Sequence, residues 1–248
     1  MHKRLIALFA GLLYPFGFAP YDLWPLVLVS IVVLFWLLRG QAPKQAALTG
    51  FCYGLGLFGV GVSWLYVSIH VYGYTPVWLA VILTALFCAG MALYFAVLGA
   101  ASSALGHRAL AFAGLWVLVD WLRGWLLTGF PWLYPGYALI DTPLSGWAPV
   151  GGIWLMTLAT VLSAAAMPLL PQWRSQWPVI VTAAVLWLAA LPLSPRLWTQ
   201  PLHEQDHQVA LIQGNIPQDI KWLTTQQDAT RQIYADLTAT VTQPALVI

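Results

Sequence analysis

From Leu5 to Leu193 the chain alternates between long apolar runs and short breaks of proline, glycine and basic residues. The runs are Leu5–Phe18, Leu23–Leu38, Ala46–Ser68, Val77–Ala101, Leu110–Leu127, Ile153–Leu170 and Val179–Leu193. A helix needs about 20 apolar residues to cross the hydrocarbon of a bilayer. The pattern therefore predicts an all-α polytopic bundle of about seven transmembrane helices. The first two runs are short and are expected as a tight, tilted or partly re-entrant hairpin. Removing them as a pair would leave the parity of the topology unchanged.

After Pro201 the pattern changes period. Gln208–Gly214 reads as a short strand ending at glycine, and Asn215–Gln218 as a turn. From Trp222 to about Val241 the residues are mostly polar, with Ile233, Leu237 and Val241 at i, i+4 spacing, as in an amphipathic helix. Ala245–Ile248 reads as a second strand. Strand, helix, strand is the opening of an α/β domain with a parallel pair. The expected organisation is a bundle over residues 1–196, a linker over 197–207, and the beginning of an α/β domain over 208–248.

Composition strengthens the membrane reading. The 248 residues are 60% hydrophobic and only 7% charged, against about a quarter charged in soluble domains. The formal net charge of +2 says nothing about nucleic acid, and no nucleic-acid partner is assigned. The placement of the charges says more than their sum. With the N-terminus inside, Lys3, Arg4, Arg39, Lys44, Arg108 and Arg174 all fall on the cytoplasmic side, as the positive-inside rule requires. Everything after Leu193 is then periplasmic. The first run follows Lys3 and Arg4 like a signal peptide, but it lacks a small-x-small cleavage site and is expected to be retained.

Glycines at 50 and 54 of the third run have the small-xxx-small spacing that brings membrane helices together. Cys52 and Cys88 lie inside apolar runs and are expected as packing residues rather than a disulfide. His203-Glu204-Gln205-Asp206-His207 matches the zinc pattern H-E-x-x-H. A zinc site needs both histidines on one helical face, and Pro201 and the strand at Val209 leave barely one turn. A zinc protease is therefore the third-ranked reading; no metal and no cofactor are assigned. Asp120 and Arg123 are spaced to pair on one face of the fifth helix, either as a local ion pair or as a lipid headgroup contact. Gly129 and Pro131 end that run and lead into an aromatic outer loop. No serine–histidine–acid arrangement and no phosphate-binding glycine loop can be argued.

Four stretches together resemble bacterial apolipoprotein N-acyltransferases: Phe18 to Pro25 (FAPYDLWP), Gly61 to Ser68 (GVSWLYVS), Leu122 to Trp132 (LRGWLLTGFPW), and Gln213 to Gln218 (QGNIPQ) followed by Lys221-Trp222. They occur in order along essentially the whole chain. The resemblance implies a membrane bundle carrying a periplasmic nitrilase-like (C-N hydrolase) domain in the bacterial inner membrane. It implies transfer of a phospholipid acyl chain to the α-amino group of a lipoprotein's diacylglyceryl-cysteine, through a thioester on an enzyme cysteine. The implied partners are a phospholipid acyl donor, an apolipoprotein acceptor and membrane lipids. It also implies that Trp222 lies at the active site as an aromatic wall, and that Trp132 and Arg123 support lipid. These are the substrate-binding candidates.

The same resemblance places the glutamate, lysine and cysteine of the triad after Ile248, so no catalytic residue is assigned within the chain. The expectation is a fragment that does not turn over alone. Cys52 and Cys88 lie in the wrong part of the pattern to substitute, and Lys221 does not correspond to the triad lysine. The alternative from another class is a transporter or non-catalytic membrane scaffold, which a polar cavity at the membrane midplane would favour.

Overall fold

A computed structural model describes residues 2–194, 196, 198–200, 208–242 and 246–248. The H-E-x-x-H stretch at 203–207 lies outside the described residues, as do Pro244 and Ala245.

The described residues are mostly helical. Helix α1 (His2–Leu13) continues through a 3-10 turn at Tyr14–Gly17 and is followed by α2 (Trp24–Leu38), α3 (Pro43–Gly61), a single turn α4 (Leu65–Val67), α5 (Val77–Ala104), α6 (Ala109–Arg123), α7 (Ala148–Ala166) and α8 (Trp173–Ala190). Helices α2, α3 and α7 carry proline in the first turn. There its fixed φ suits the helix and its missing N–H costs nothing.

Helix α3 is the centre of the bundle, and its glycines put it there. A Cβ on Gly50 would fall on the Phe95 carbonyl of α5, and one on Gly54 would lie 2.8 Å from Ala92 Cα. On the other side, a Cβ on Gly56 would meet the Leu8 carbonyl of α1. The partners reciprocate, with Gly11 against Tyr53 and Gly99 against Ala46. Without a hydrophobic force between helices in lipid, this close backbone approach is what supplies contact energy. Buried polar groups tie α2 to α1 and α3: Ser30 Oγ donates to the Ala10 carbonyl at 2.7 Å and lies 2.8 Å from the Tyr53 hydroxyl. Trp116 of α6 fills the remaining core, edge-on to Tyr53, Phe95 and Phe112.

The third apolar run is broken, where the pattern predicts continuity from Ala46 to Ser68. Helix α3 stops at Gly61, and the chain resumes over Leu65–Tyr72 at an angle of 60°. Gly59 and Gly61 weaken the helix just before the break. By length and composition, Val77–Ala104 and Pro143–Ala190 could each cross a membrane, and the bent pair could form a third span. The 48 residues of Pro143–Ala190 would measure about 70 Å as one straight helix, far beyond the hydrocarbon thickness. They fold back instead. Trp147 Nε1 donates to the Leu186 carbonyl at 2.8 Å and a Cβ on Gly146 would fall 2.5 Å from the Ala190 carbonyl, so the start of α7 lies beside the end of α8.

Downstream, β1 (Val209–Ala210) pairs in parallel with β2 (Leu246–Val247), in register Val209↔Leu246. Helix α9 (Gln227–Ala239) lies between them in sequence. The parallel strand–helix–strand is as read from the sequence. The helix starts later than Trp222, because a 3-10 turn at Thr224–Gln226 precedes it.

Replacing Gly50 by valine drives a branched side chain into the α5 backbone and should cost about 1–3 kcal/mol or more. Gly59 has open space where its Cβ would be, so Gly59→Ala should stabilise by up to about 1 kcal/mol. Thermal midpoints in detergent check both signs.

Candidate functional site

The site is built from the last turns of α6. Trp116, Val119, Asp120 and Arg123 recur at helical spacing and are all buried. Arg123 Nη2 donates to Asp120 Oδ1 at 2.7 Å, and the two side chains are 2% and 0% exposed. The pair predicted from the spacing therefore forms, but inside the protein rather than snorkelling to an interface. Arg123 Nη1 donates to the Phe130 carbonyl at 3.2 Å and also to the Trp132 carbonyl. The guanidinium lies 4.7 Å from the Tyr134 ring and 5.4 Å from the Phe58 ring. One cation is thus neutralised by a carboxylate, hydrogen-bonded to two loop carbonyls and covered by two aromatic rings. Burial pushes the Tyr134 hydroxyl above its ordinary range, against the opposing pull of Arg123, so its ring meets the cation as a neutral phenol.

This anchoring shapes the loop. The apolar run predicts helix to Leu127, yet α6 ends at Arg123, with Gly124 as its cap. The Arg123 carbonyl accepts from Phe130 N–H at 2.7 Å, which turns the chain back on itself. Leu127, Thr128 and Leu133 take positive φ of 54°, 75° and 62°, a conformation costly for such side chains. Gly129, at φ +82°, is required, because a Cβ there would run into the Gly124 carbonyl. The loop presents a ladder of rings. Phe130 stacks on Trp132 at 5.3 Å, Trp132 meets Trp64 at 5.9 Å, and Phe130 meets Phe87 edge-on at 5.0 Å.

Two cavities flank this ladder. One is an apolar groove of about 650 Å³ between α5 and the loop, lined by Phe87, Gly90, Met91, Tyr94, Val97 and the stretch Leu126–Phe130. Gly90 opens it: unlike Gly50, Gly54 and Gly99, it has nothing within 4 Å of where a Cβ would sit. The other, about 1040 Å³, lies at the end of the bundle between the α1–α2 connection and Trp64, Trp132 and Tyr137, with Asp22 and Asp141 among its lining.

A model of the apolipoprotein N-acyltransferase N-terminal domain matches residues 10–166. The chain belongs to the apolipoprotein N-acyltransferase family. The matched residues contain the whole Arg123 site and stop short of α8, β1, α9 and β2. Curated apolipoprotein N-acyltransferases of Azotobacter vinelandii, Pseudomonas syringae pv. tomato and Vibrio parahaemolyticus are 43%, 42% and 40% identical over 95%, 99% and 96% of the chain. The chain spans about half the length of these relatives, between 48% and 50%.

Of the substrate-binding candidates, the structure brings Arg123 and Trp132 together through the loop carbonyl. Trp222 belongs to the downstream α/β segment, where it is 75% exposed with Lys221 Nζ 5.5 Å from its ring. Cys88 is buried, with its thiol 3.5 Å from the Phe58 carbonyl, and Cys52 is half-buried; both are free thiols. Sequence reading missed Phe58 and Gly90, and placed Tyr134 in the aromatic outer loop without its contact to Arg123. Trp116 was within reach, since its i, i+4 spacing to Asp120 marks the same helix face.

Removing one member of the buried pair strands the other. Asp120→Leu should cost about 3–5 kcal/mol, whereas Asp120→Leu with Arg123→Met should recover part of that loss. The double variant should still melt below the parent, because the Phe130 and Trp132 carbonyls lose their donor. Thermal unfolding of the three proteins in one detergent gives the comparison.

Proposed function

We propose that the chain serves the reaction its relatives' names state, transfer of an acyl chain to an apolipoprotein, and that the groove beside Gly90 holds the chain of the phospholipid donor. The observation that carries this reading is the groove itself: apolar, bounded by a loop that Arg123 pins, and opened by a helical glycine with no packing role. A buried acyl chain gains about 0.8 kcal/mol per methylene from contact with such walls when it leaves water, and little when it leaves lipid. The groove's contribution is therefore position, which sets the ester near the end of the bundle where Trp132 and Trp64 form a rim.

In this reading α1, α2, α3, α5, α6, α7 and α8 cross the bacterial inner membrane, with the N-terminus cytoplasmic and residues 208–248 periplasmic. Residues 1–196 form the membrane unit, 197–207 link it onward, and β1, α9 and β2 open a nitrilase-like domain. Trp132 and Arg123 support the donor lipid, and Trp222 supplies an aromatic wall toward the reacting groups. The acceptor is the diacylglyceryl-cysteine of an apolipoprotein, whose α-amine takes the acyl group. The transporter alternative finds less support, because among the described residues the cavities sit at the ends of the bundle or are apolar.

The experiment is photocrosslinking in membranes with a phospholipid bearing a diazirine on its acyl chain. Label should map to α5 and Leu126–Phe130, and Gly90→Phe, which fills the groove, should lower it about tenfold without loss of thermal stability. Label spread evenly over all lipid-facing helices, and unchanged by the substitution, overturns the assignment. Orientation is read separately: alkaline phosphatase fused after Ile248 should be active, and inactive when fused after Arg39.

A further inference from the structure

The bundle is electrically lopsided. Up to His203 its carboxylates are Asp22, Asp120 and Asp141 alone. Asp22 and Asp141 line the cavity beside Trp132, and Asp120 is consumed by Arg123. The opposite end carries Lys3, Arg4, Arg39, Lys44, Arg108 and Arg174 with no carboxylate of its own. Among the described residues none of these cations forms an ion pair.

That end is not a smooth basic surface. A cleft of about 510 Å³ runs between the α2–α3 connection, the start of α6 and the start of α8, lined by Arg39, His107, Arg108, Gln172 and Gln176. Ala109 and Leu110 also line it. These residues open α6, whose first turn has no side-chain cap, so its N–H groups are left for another acceptor. His107 adds a ring whose one nitrogen lies 3.2 Å from the Gln41 carbonyl while its Nδ1 is buried without a partner. Trp36 lines the adjoining cleft with Lys3 and Arg39, and Trp173 and Trp177 are exposed at the start of α8. Tryptophans at that density mark the headgroup level of a bilayer. Two guanidinium-bearing arms, amide donors and an uncapped helix start meet there around one hollow with no carboxylate in its lining.

We infer that this cleft binds the phosphate of an anionic phospholipid headgroup in the leaflet on the Lys3 side of the bundle, remote from the Arg123 loop. Arg39 and Arg108 supply charge-assisted hydrogen bonds to the phosphate oxygens, Gln172 and Gln176 supply neutral donors, and the acyl chains lie along the exposed faces of α6 and α8. The bound lipid provides the counter-charge the bundle lacks. It thereby joins three connections that have no ionic contact with one another.

The test is native mass spectrometry of the chain in a zwitterionic detergent, titrated with phosphatidylglycerol, phosphatidylcholine or inorganic phosphate. One phosphatidylglycerol should bind at least tenfold more tightly than phosphatidylcholine. Arg39→Gln with Arg108→Gln should weaken it roughly tenfold or more. Arg174→Gln, a cation of the same end outside the cleft, should change it less than twofold, and Arg108→Lys should keep most of the affinity. Equal binding of the two lipids, or an equal loss from Arg174→Gln, would show diffuse attraction and overturn the site. Inorganic phosphate binding as tightly as the lipid would show a free-anion pocket and overturn the lipid assignment. If the double variant fails to fold, the exposed Arg108→Gln alone decides, with about threefold weakening expected and unchanged affinity overturning the proposal.

Discussion

One guanidinium organises the end of the bundle opposite Lys3. Arg123 is a full charge held at 2% exposure in a chain where charge is scarce. A buried cation is tolerable only when it is paired and hydrogen-bonded. Asp120 supplies the counter-charge from one turn away, the Phe130 and Trp132 carbonyls accept from Nη1, and the Tyr134 and Phe58 rings cover the guanidinium, while Nε is buried without a hydrogen-bond partner. Satisfying Arg123 therefore dictates where α6 ends, how the next residues turn, and which way the aromatic ladder faces. The positive φ values at Leu127, Thr128 and Leu133 are the cost of that geometry, borne because the alternative is an uncompensated charge.

The loop can hold such a shape only because the bundle beneath it is stiff. Glycine-mediated contact of α3 with both α1 and α5 brings backbones together rather than side chains, so relative sliding would meet carbonyl oxygens at once. Phe58, which covers Arg123, sits near the end of that same α3, a few residues before the break at Gly61. Tyr14, at the end of α1, donates to the Leu133 carbonyl at 3.0 Å. Core packing and loop conformation are thus mechanically joined, and the groove between α5 and the loop inherits its width from both.

Much of this was legible in the sequence, and the parts that were not share a cause. The apolar runs located the helices to within a few residues, and the Gly50–Gly54 spacing marked a close helix contact without naming α5 as its partner. The strand–helix–strand pattern after Gln208 gave a parallel pair. Asp120 and Arg123 were placed on one helix face by spacing, with an ion pair and a headgroup contact both open. What periodicity could not reveal was the side of the helix their neighbours would cover, since Phe58 and Tyr134 come from distant segments. The run through Leu127 reads as helix because Leu126 and Leu127 are apolar. Yet the carbonyl of Arg123 is claimed by Phe130, and a local hydrophobic signal carries no trace of that competition. The break of α3 at Gly61 was hidden likewise, as the apolar residues on both sides keep the run unbroken. The groove at Gly90 escaped because a glycine in a membrane helix reads as packing until its empty surroundings are seen.

The two ends of the bundle solve the problem of charge in opposite ways. At the Arg123 end the protein encloses its cation and supplies each partner from its own chain, which fixes a rigid rim beside an apolar groove. At the Lys3 end it leaves several cations at the surface and provides no carboxylate. The first arrangement suits a place where reacting groups must be held in one geometry, since enclosed charges do not rearrange with solvent. The second suits a place where the partner is the bilayer itself, which offers anions in abundance but no fixed position for them. In the proposed binding, the cleft between three connections converts that diffuse attraction into a defined contact. In the two proposals the groove and the basic cleft engage lipid through different chemistries, dispersion along the chain at one end and charge at the phosphate at the other.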